Sequence, residues 1–179
     1  MDLENRLGKA IIPRDKLPEI DLYMDQLTTF IDDKLKACKR TDDERVLTKT
    51  MINNYSKDKM LPASINKKYS QVHMMLLVLI YHLKATMTIG DIQQVLKQVG
   101  EGGELAAMYD AFTAMQTTVA ARAETAASEA MGEAKALLPD GDEKAQTMAA
   151  VLALSLEAAA KKRLAEQMLD ALRESDTKK

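Results

Sequence analysis

Apolar positions along this chain recur mostly at helical spacing. Between residues 19 and 38, Leu22, Leu27, Phe30, Ile31 and Leu35 fall on one side of a helix whose first turn can hold Pro18. A short helix follows, opened by Thr48 as N-cap and ended at Leu61-Pro62. The polar loop PASINKK after it is too short for a helix and suits a small hairpin or wing. Ser70 opens a helix running through MMLLVLIYHL to about Ala85, apolar nearly all round and therefore expected to be the central core helix. Thr88 caps the next, in which Ile89, Ile92, Val95, Leu96 and Val99 repeat at helical spacing.

The run GEGG at 100–103 interrupts this pattern, because three glycines in four positions make a continuous helix costly. Beyond it, Leu105, Met108, Phe112, Met115 and Val119 form a short seam stepping by three and four, in a helix that continues Ala-rich to about Ala136. LLPDGDE reads as a turn with Asp142 as the next N-cap. The last helix, to about Arg173, carries Met148, Leu152, Leu156, Leu164, Met168 and Leu172 at multiples of four. Two long helices joined by a tight turn predict an antiparallel hairpin. The expected fold is all-α with at most a small β wing, divided into residues 1–99 and an α-helical region 104–179.

Composition agrees: aromatic content is 4% with no Trp, and twelve Met with abundant Ala carry much of the apolar load. Cys38 is the single cysteine, which excludes an internal disulfide and a thiolate-rich metal site and points to a reducing cytoplasm. The N-terminus lacks the apolar stretch of a secretory signal. The longest strongly apolar run, Met74 to Tyr81, is far shorter than the roughly 20 residues that span a bilayer, so no membrane segment is expected.

Net charge of -2 conceals an asymmetry. Residues 1–99 hold 16 Lys and Arg against 13 Asp and Glu, residues 100–179 hold 9 against 14, and residues 34–84 hold 11 against 4. A basic patch inside an acidic protein suits a polyanionic partner; a solvated Lys-rich surface is the plain alternative.

Chemistry for catalysis is sparse. His73 and His82 are nine residues apart on the core helix, a spacing that makes no local metal pair, and read as a surface and a packing residue. Asp42-Asp43-Glu44 reads as a solvated charge run, and Asp140-Gly141-Asp142 as a turn and helix cap. Lys36, Lys39 and Arg40 beside Cys38 could lower its pKa, yet no His lies nearby in sequence to complete a nucleophile. No glycine loop cradles phosphate. Neither an enzyme nor a cofactor is expected.

The stretch LTKTMINNYSKDKMLP, residues 47–62, carries the one specific pattern. On a helix, Lys49, Thr50, Asn53, Asn54 and Lys57 share one face and Met51, Ile52 and Tyr55 the other. Such a face suits a DNA groove, since Asn can pair with an adenine edge and Lys with phosphate or guanine.

The order Ile52-Asn53-Asn54-Tyr55, Met60-Leu61-Pro62, Asn66-Lys67-Lys68-Tyr69, an apolar helix, then Thr86-Met87-Thr88-Ile89-Gly90-Asp91-Ile92 resembles the MerR-type winged helix-turn-helix regulators over roughly residues 20–98. The resemblance implies a recognition helix at 48–58 in the major groove and a wing at 62–69 on phosphates. DNA contacts would then come from Lys49, Thr50, Asn53, Asn54, Lys57, Lys59, Lys67, Lys68 and Tyr69. Asn53 stands where that pattern has Arg, and Lys59 where it has Gly, which requires a left-handed Lys or a different helix end. More closely, IPRDKLPEIDLYMDQLTTFI, LTKTMINNY and TIGDIQQVL resemble an uncharacterised bacterial family described only as a domain of unknown function. The expected function is a cytoplasmic, sequence-specific transcriptional regulator that binds double-stranded DNA as a homodimer. A helical protein-interaction module whose basic face binds an acidic protein partner is the expectation from another class. Nothing in residues 104–179 resembles an effector-sensing tail.

Overall fold

A computed structural model describes residues 6–100 and 102–177. Its helices are α1 (Arg6–Lys9), α2 (Met24–Lys34), α3 (Lys49–Lys57), α4 (Gln71–Leu83), α5 (Ile89–Val99), α6 (Gly103–Leu137) and α7 (Glu143–Thr177), with strands β1 (Leu22–Tyr23) and β2 (Lys68–Tyr69). Single 3-10 turns lie at Arg14–Lys16 and Lys36–Cys38. The architecture is mostly helical with one two-stranded sheet. By packing, the chain forms two compact units divided within α6, after Thr117.

The first unit is organised around α4. Met74 to Ile80 are all buried, as a helix apolar on every side requires, and each fully buried side chain stabilises by about 1.5–3 kcal/mol. Leu27, Ile31 and Leu35 from the α2 segment, Ile52 and Tyr55 from α3, and Ile92, Leu96 and Val99 from α5 join the same core. Caps fall at their expected residues. Thr48 Oγ1 accepts from the Met51 N–H at 3.2 Å, Thr88 Oγ1 from Asp91 at 3.2 Å, and Asp142 Oδ1 from Ala145 at 2.8 Å.

Three features differ from the sequence-based expectation. The helix expected over 19–38 is shorter: Leu22 and Tyr23 instead form a strand pairing antiparallel with Tyr69 and Lys68. The Tyr23 N–H then donates to Gln26 Oε1 at 2.9 Å, which starts α2 only at Met24.

The seam expected along α6 is buried only at Leu105 and, in part, at Phe112. Leu105, Tyr109, Thr113 and Gln116 form the buried stripe, while Met108, Met115 and Val119 are 44%, 56% and 49% exposed. Tyr109 takes the inner place because its hydroxyl donates to the Ile12 carbonyl at 2.8 Å.

Nor does the break at 100–103 end the packing. Gly100 and Gly102 do adopt positive φ, 79° and 58°, and separate α5 from α6, but Leu105 and Tyr109 belong to the α4 core. The Arg14 guanidinium also pairs with Asp110 through Nε at 3.0 Å to both carboxylate oxygens.

The second unit is the hairpin of late α6 and α7. Its own core is small: Ala130, Ala134 and Ala150, with Met131, Ala149 and Leu154 partly buried beside them. Leu152, Leu156, Leu164, Met168 and Leu172 are all more than half exposed. Among the described residues no helix is long and apolar enough to cross a membrane.

Candidate nucleic-acid interface

Helix α3 sorts its faces as its sequence demands. Ile52 is fully buried and Tyr55 nearly so, whereas Lys49, Thr50, Asn53, Asn54 and Lys57 are exposed. The helix ends in a Schellman motif: the Met60 N–H donates to the Tyr55 carbonyl at 2.9 Å and the Lys59 N–H to that of Ser56 at 3.2 Å. This closure places the residue after the C-cap in the left-handed region, and Lys59 has φ 57°. Of the two possibilities left by a Lys in place of Gly, the left-handed Lys is the one adopted. From α5, the Gln93 side-chain amide donates to the Asp58 carbonyl at 2.8 Å and holds this end of α3 in place.

The next segment forms a tight hairpin. Ile65 and Lys68 exchange backbone hydrogen bonds of 3.2 and 2.9 Å around Asn66 and Lys67, whose φ values are 51° and 61°. Positive φ at both central residues is the type I′ pattern, matched to strand twist. Lys68 then pairs with Tyr23 and Tyr69 with Leu22, so β1, β2 and the hairpin arm lie side by side. Buried His73 secures the base of this wing. Its Nδ1 accepts from the Ser70 N–H at 3.0 Å, leaving Nε2–H to donate to the Pro62 carbonyl at 3.2 Å. Burial lowers the His73 pKa, which keeps the ring neutral. His73 is thus a structural post rather than a surface residue.

Between α3 and the wing lies an open depression of about 510 Å³ lined by Asn53, Ser56, Lys59, Leu61, Pro62, Ala63, Ser64 and Tyr69. Asn53 and Lys59 therefore meet the wing across one concavity. Lys57 and Lys67 are exposed nearby in sequence, and among the described residues neither they nor Lys59 make a salt bridge. Lysines at the α3 C-terminus also offset its helix dipole, a role that needs no ligand.

Three expected contact residues are not available as expected. Tyr69 is 7% exposed, because alternation along β2 turns it inward opposite Leu22, and its ring packs edge-on to His73 at 5.2 Å. Only its edge borders the depression. Lys68 is half-buried, its ammonium 5.1 Å from the centre of the Tyr23 ring. Lys49 is exposed but ion-paired with Asp25 at the start of α2. The wing also contains residues that sequence reasoning passed over: Tyr23, hidden inside the expected helix, and Ile65, read as part of a polar loop.

Other polar groups serve packing. Asp32 accepts from Lys39 Nζ at 2.7 Å and from the Val46 N–H at 3.3 Å. The Lys39 hydrogen bond chiefly holds its carboxyl below the usual range, and the contacts tie down the connection Leu35–Thr48. Burial pushes the Cys38 thiol up, not down as its basic neighbours suggested, so it is no activated nucleophile. Burial depresses His82 to about 4, and its ring lies 3.1 Å from the Gln116 amide nitrogen. Among the described residues no group of three His, Cys, Asp or Glu is placed to hold a metal ion.

Residues 12–112 match a family described as Domain of unknown function (DUF1836), and the chain belongs to that family. The match spans the first unit from Ile12 to Phe112, including the first turns of α6. No curated protein and no solved structure matches the chain.

Proposed function

We propose that this protein binds double-stranded DNA, with α3 in the major groove and the 62–69 wing on the flanking backbone, as a cytoplasmic transcriptional regulator in the manner of winged helix-turn-helix proteins. The observation carrying this reading is that Asn53 of α3, Lys59 just past its end and the wing meet at a single open concavity without an acidic side chain in its lining, with Asn54 and Lys57 exposed on the same helix. Planar amides mid-helix suit base edges; the ammonium groups at its end and on the wing suit phosphates. The revised contact set is Thr50, Asn53, Asn54, Lys57, Lys59 and Lys67, with Lys49 shared with Asp25 and Tyr69 left to the core. The hairpin of α6 and α7 supplies the dimer, since its exposed leucines need a partner that its alanine core does not provide.

A second reading gives the basic face to an acidic protein partner. The connection Leu35–Thr48 favours it, being longer than the three- or four-residue turn of a helix-turn-helix. Fluorescence anisotropy of a labelled random duplex against salt separates the two. Three phosphate contacts at Lys57, Lys59 and Lys67 predict a slope of log affinity on log salt of about -2.7; no binding at about 50 mM salt sinks the DNA reading.

A further inference from the structure

Each aspartate of α2 holds a lysine. Asp33 pairs with Lys36 at 2.9 Å, Asp32 with Lys39 at 2.7 Å, and Asp25, in the first turn of α2, with Lys49 at the start of α3. A depression of about 410 Å³ beside α2 has Asp32 and Asp33 in its lining together with Lys36, Lys39 and Arg45. The concavity between α3 and the wing has no acid in its lining, and among the described residues Lys57, Lys59 and Lys67 make no salt bridge. Positive charge is thus cancelled pair by pair along α2 and left open from the end of α3 to the wing.

Lys49 is the least expected of the paired lysines. It is the first residue of α3, whose first turn has no acidic side chain. The positive end of a helix dipole disfavours a cation there, so a neutral or acidic residue would suit the helix better and need no partner. Neither helix depends on the pair for its start. Thr48 Oγ1 caps α3, and Gln26 accepts from the Tyr23 N–H at the start of α2. The two side chains are 59% and 79% exposed, so solvent screens the pair and its contribution to folding is small. A pair that folding does not require is one that a competing anion can open.

We propose that Asp25 is an autoinhibitory group: its carboxylate holds Lys49 as a duplex phosphate would, and so withholds one backbone contact from the DNA face of α3. The inference rests on the DNA-binding reading above. Carboxylate and phosphate oxygens are equivalent acceptors for an ammonium group, so the two compete for Lys49. While Asp25 holds it, Lys49 neutralises no phosphate, and its arrival at DNA displaces no counterion. Attraction to the backbone then rests on Lys57, Lys59 and Lys67, while Asn53 and Asn54 keep their access to base edges.

The test measures the affinity of the full chain for a labelled random duplex against salt, by fluorescence anisotropy, with a thermal melt of each variant to confirm folding. Asp25→Asn is expected to steepen the slope from about -2.7 to about -3.6 and to bind roughly tenfold more tightly at about 50 mM salt, as one added phosphate contact requires. Adding Lys49→Gln to Asp25→Asn should return the slope to about -2.7. Glu129→Gln, an equal change of net charge on the exposed side of α6, should leave the slope at its wild-type value. Wild-type binding with an Asp25→Asn slope equal to that of the wild type overturns this inference and leaves the DNA reading standing. So does a gain that survives Lys49→Gln or that Glu129→Gln reproduces, because the effect would then be one of net charge. A wild-type chain and an Asp25→Asn chain that both ignore DNA at about 50 mM salt overturn the DNA reading itself, and this inference with it.

Discussion

Removing the chain after residue 99 should destroy the first unit, although the glycine break at 100–103 makes that the natural place to cut. Truncation there strips Leu105 and Tyr109, which are 1% and 0% exposed in the α4 core. Losses of about 2–5 kcal/mol for a buried Leu and about 3–5 kcal/mol for a buried aromatic are typical. The Tyr109–Ile12 hydrogen bond adds about 1 kcal/mol. The Arg14–Asp110 pair, with both side chains nearly half exposed and screened by solvent, adds little. A deficit of roughly 6–11 kcal/mol matches the whole stability of an ordinary domain, about 5–15 kcal/mol. Urea unfolding followed by circular dichroism should therefore show a cooperative transition for residues 1–117 and none for residues 1–99. Tyr109→Phe in the full chain isolates the hydroxyl: it leaves the buried Ile12 carbonyl unpaired and should cost about 1–2 kcal/mol. A fragment 1–99 melting cooperatively within about 1 kcal/mol of 1–117 would refute the reasoning.

Acid should weaken the fold before it protonates most carboxylates. His82 is depressed from an ordinary 6.5 to about 4 by burial, and His73 in the same direction, so between those values the unfolded chain binds protons that the folded chain refuses. Stability is then complete above about pH 6.5 and falls as pH drops toward 4, by of order 2–3 kcal/mol for His82 alone; His82→Gln should flatten that part of a stability–pH curve, and an unchanged curve would count against the buried-histidine account. The hairpin should also self-associate: light scattering at tens of micromolar, roughly where weak dimers form, should report a dimer, and Leu156→Lys with Leu164→Lys a helical monomer. A monomeric wild type under those conditions contradicts the proposed dimer.

Much of the helical layout was legible because its signals are local. Thr48, Thr88 and Asp142 cap helices by chemistry that acts over three residues, and the two faces of α3 follow from 100° per residue alone. Substitution of Lys59 for Gly flagged a backbone anomaly that is present. Features set by distant partners were not legible. A two-residue strand at Leu22–Tyr23 exists only because Lys68–Tyr69 lies beside it, and nothing in its own sequence overrides the helical period of Leu22, Leu27 and Ile31. The same pairing decides that Tyr69 faces inward. In α6 the Met and Val seam fits a helix as well as the stripe through Tyr109 does. The choice was made by the Ile12 carbonyl, far away in sequence.

The central claim, that the α3 face reads DNA, is tested most directly by comparing Asn53→Ala with Lys57→Ala on a duplex selected from a random pool and on random duplex. Asn53 lies mid-helix on the exposed face beside the concavity, so its loss should cost about 1–3 kcal/mol on the selected duplex, little on random DNA, and leave the salt slope unchanged. Lys57→Ala should weaken both duplexes alike and reduce the slope by about 0.9. Two folded variants that bind both duplexes as the wild type does at about 50 mM salt would contradict the claim, and the face would then belong to a protein partner.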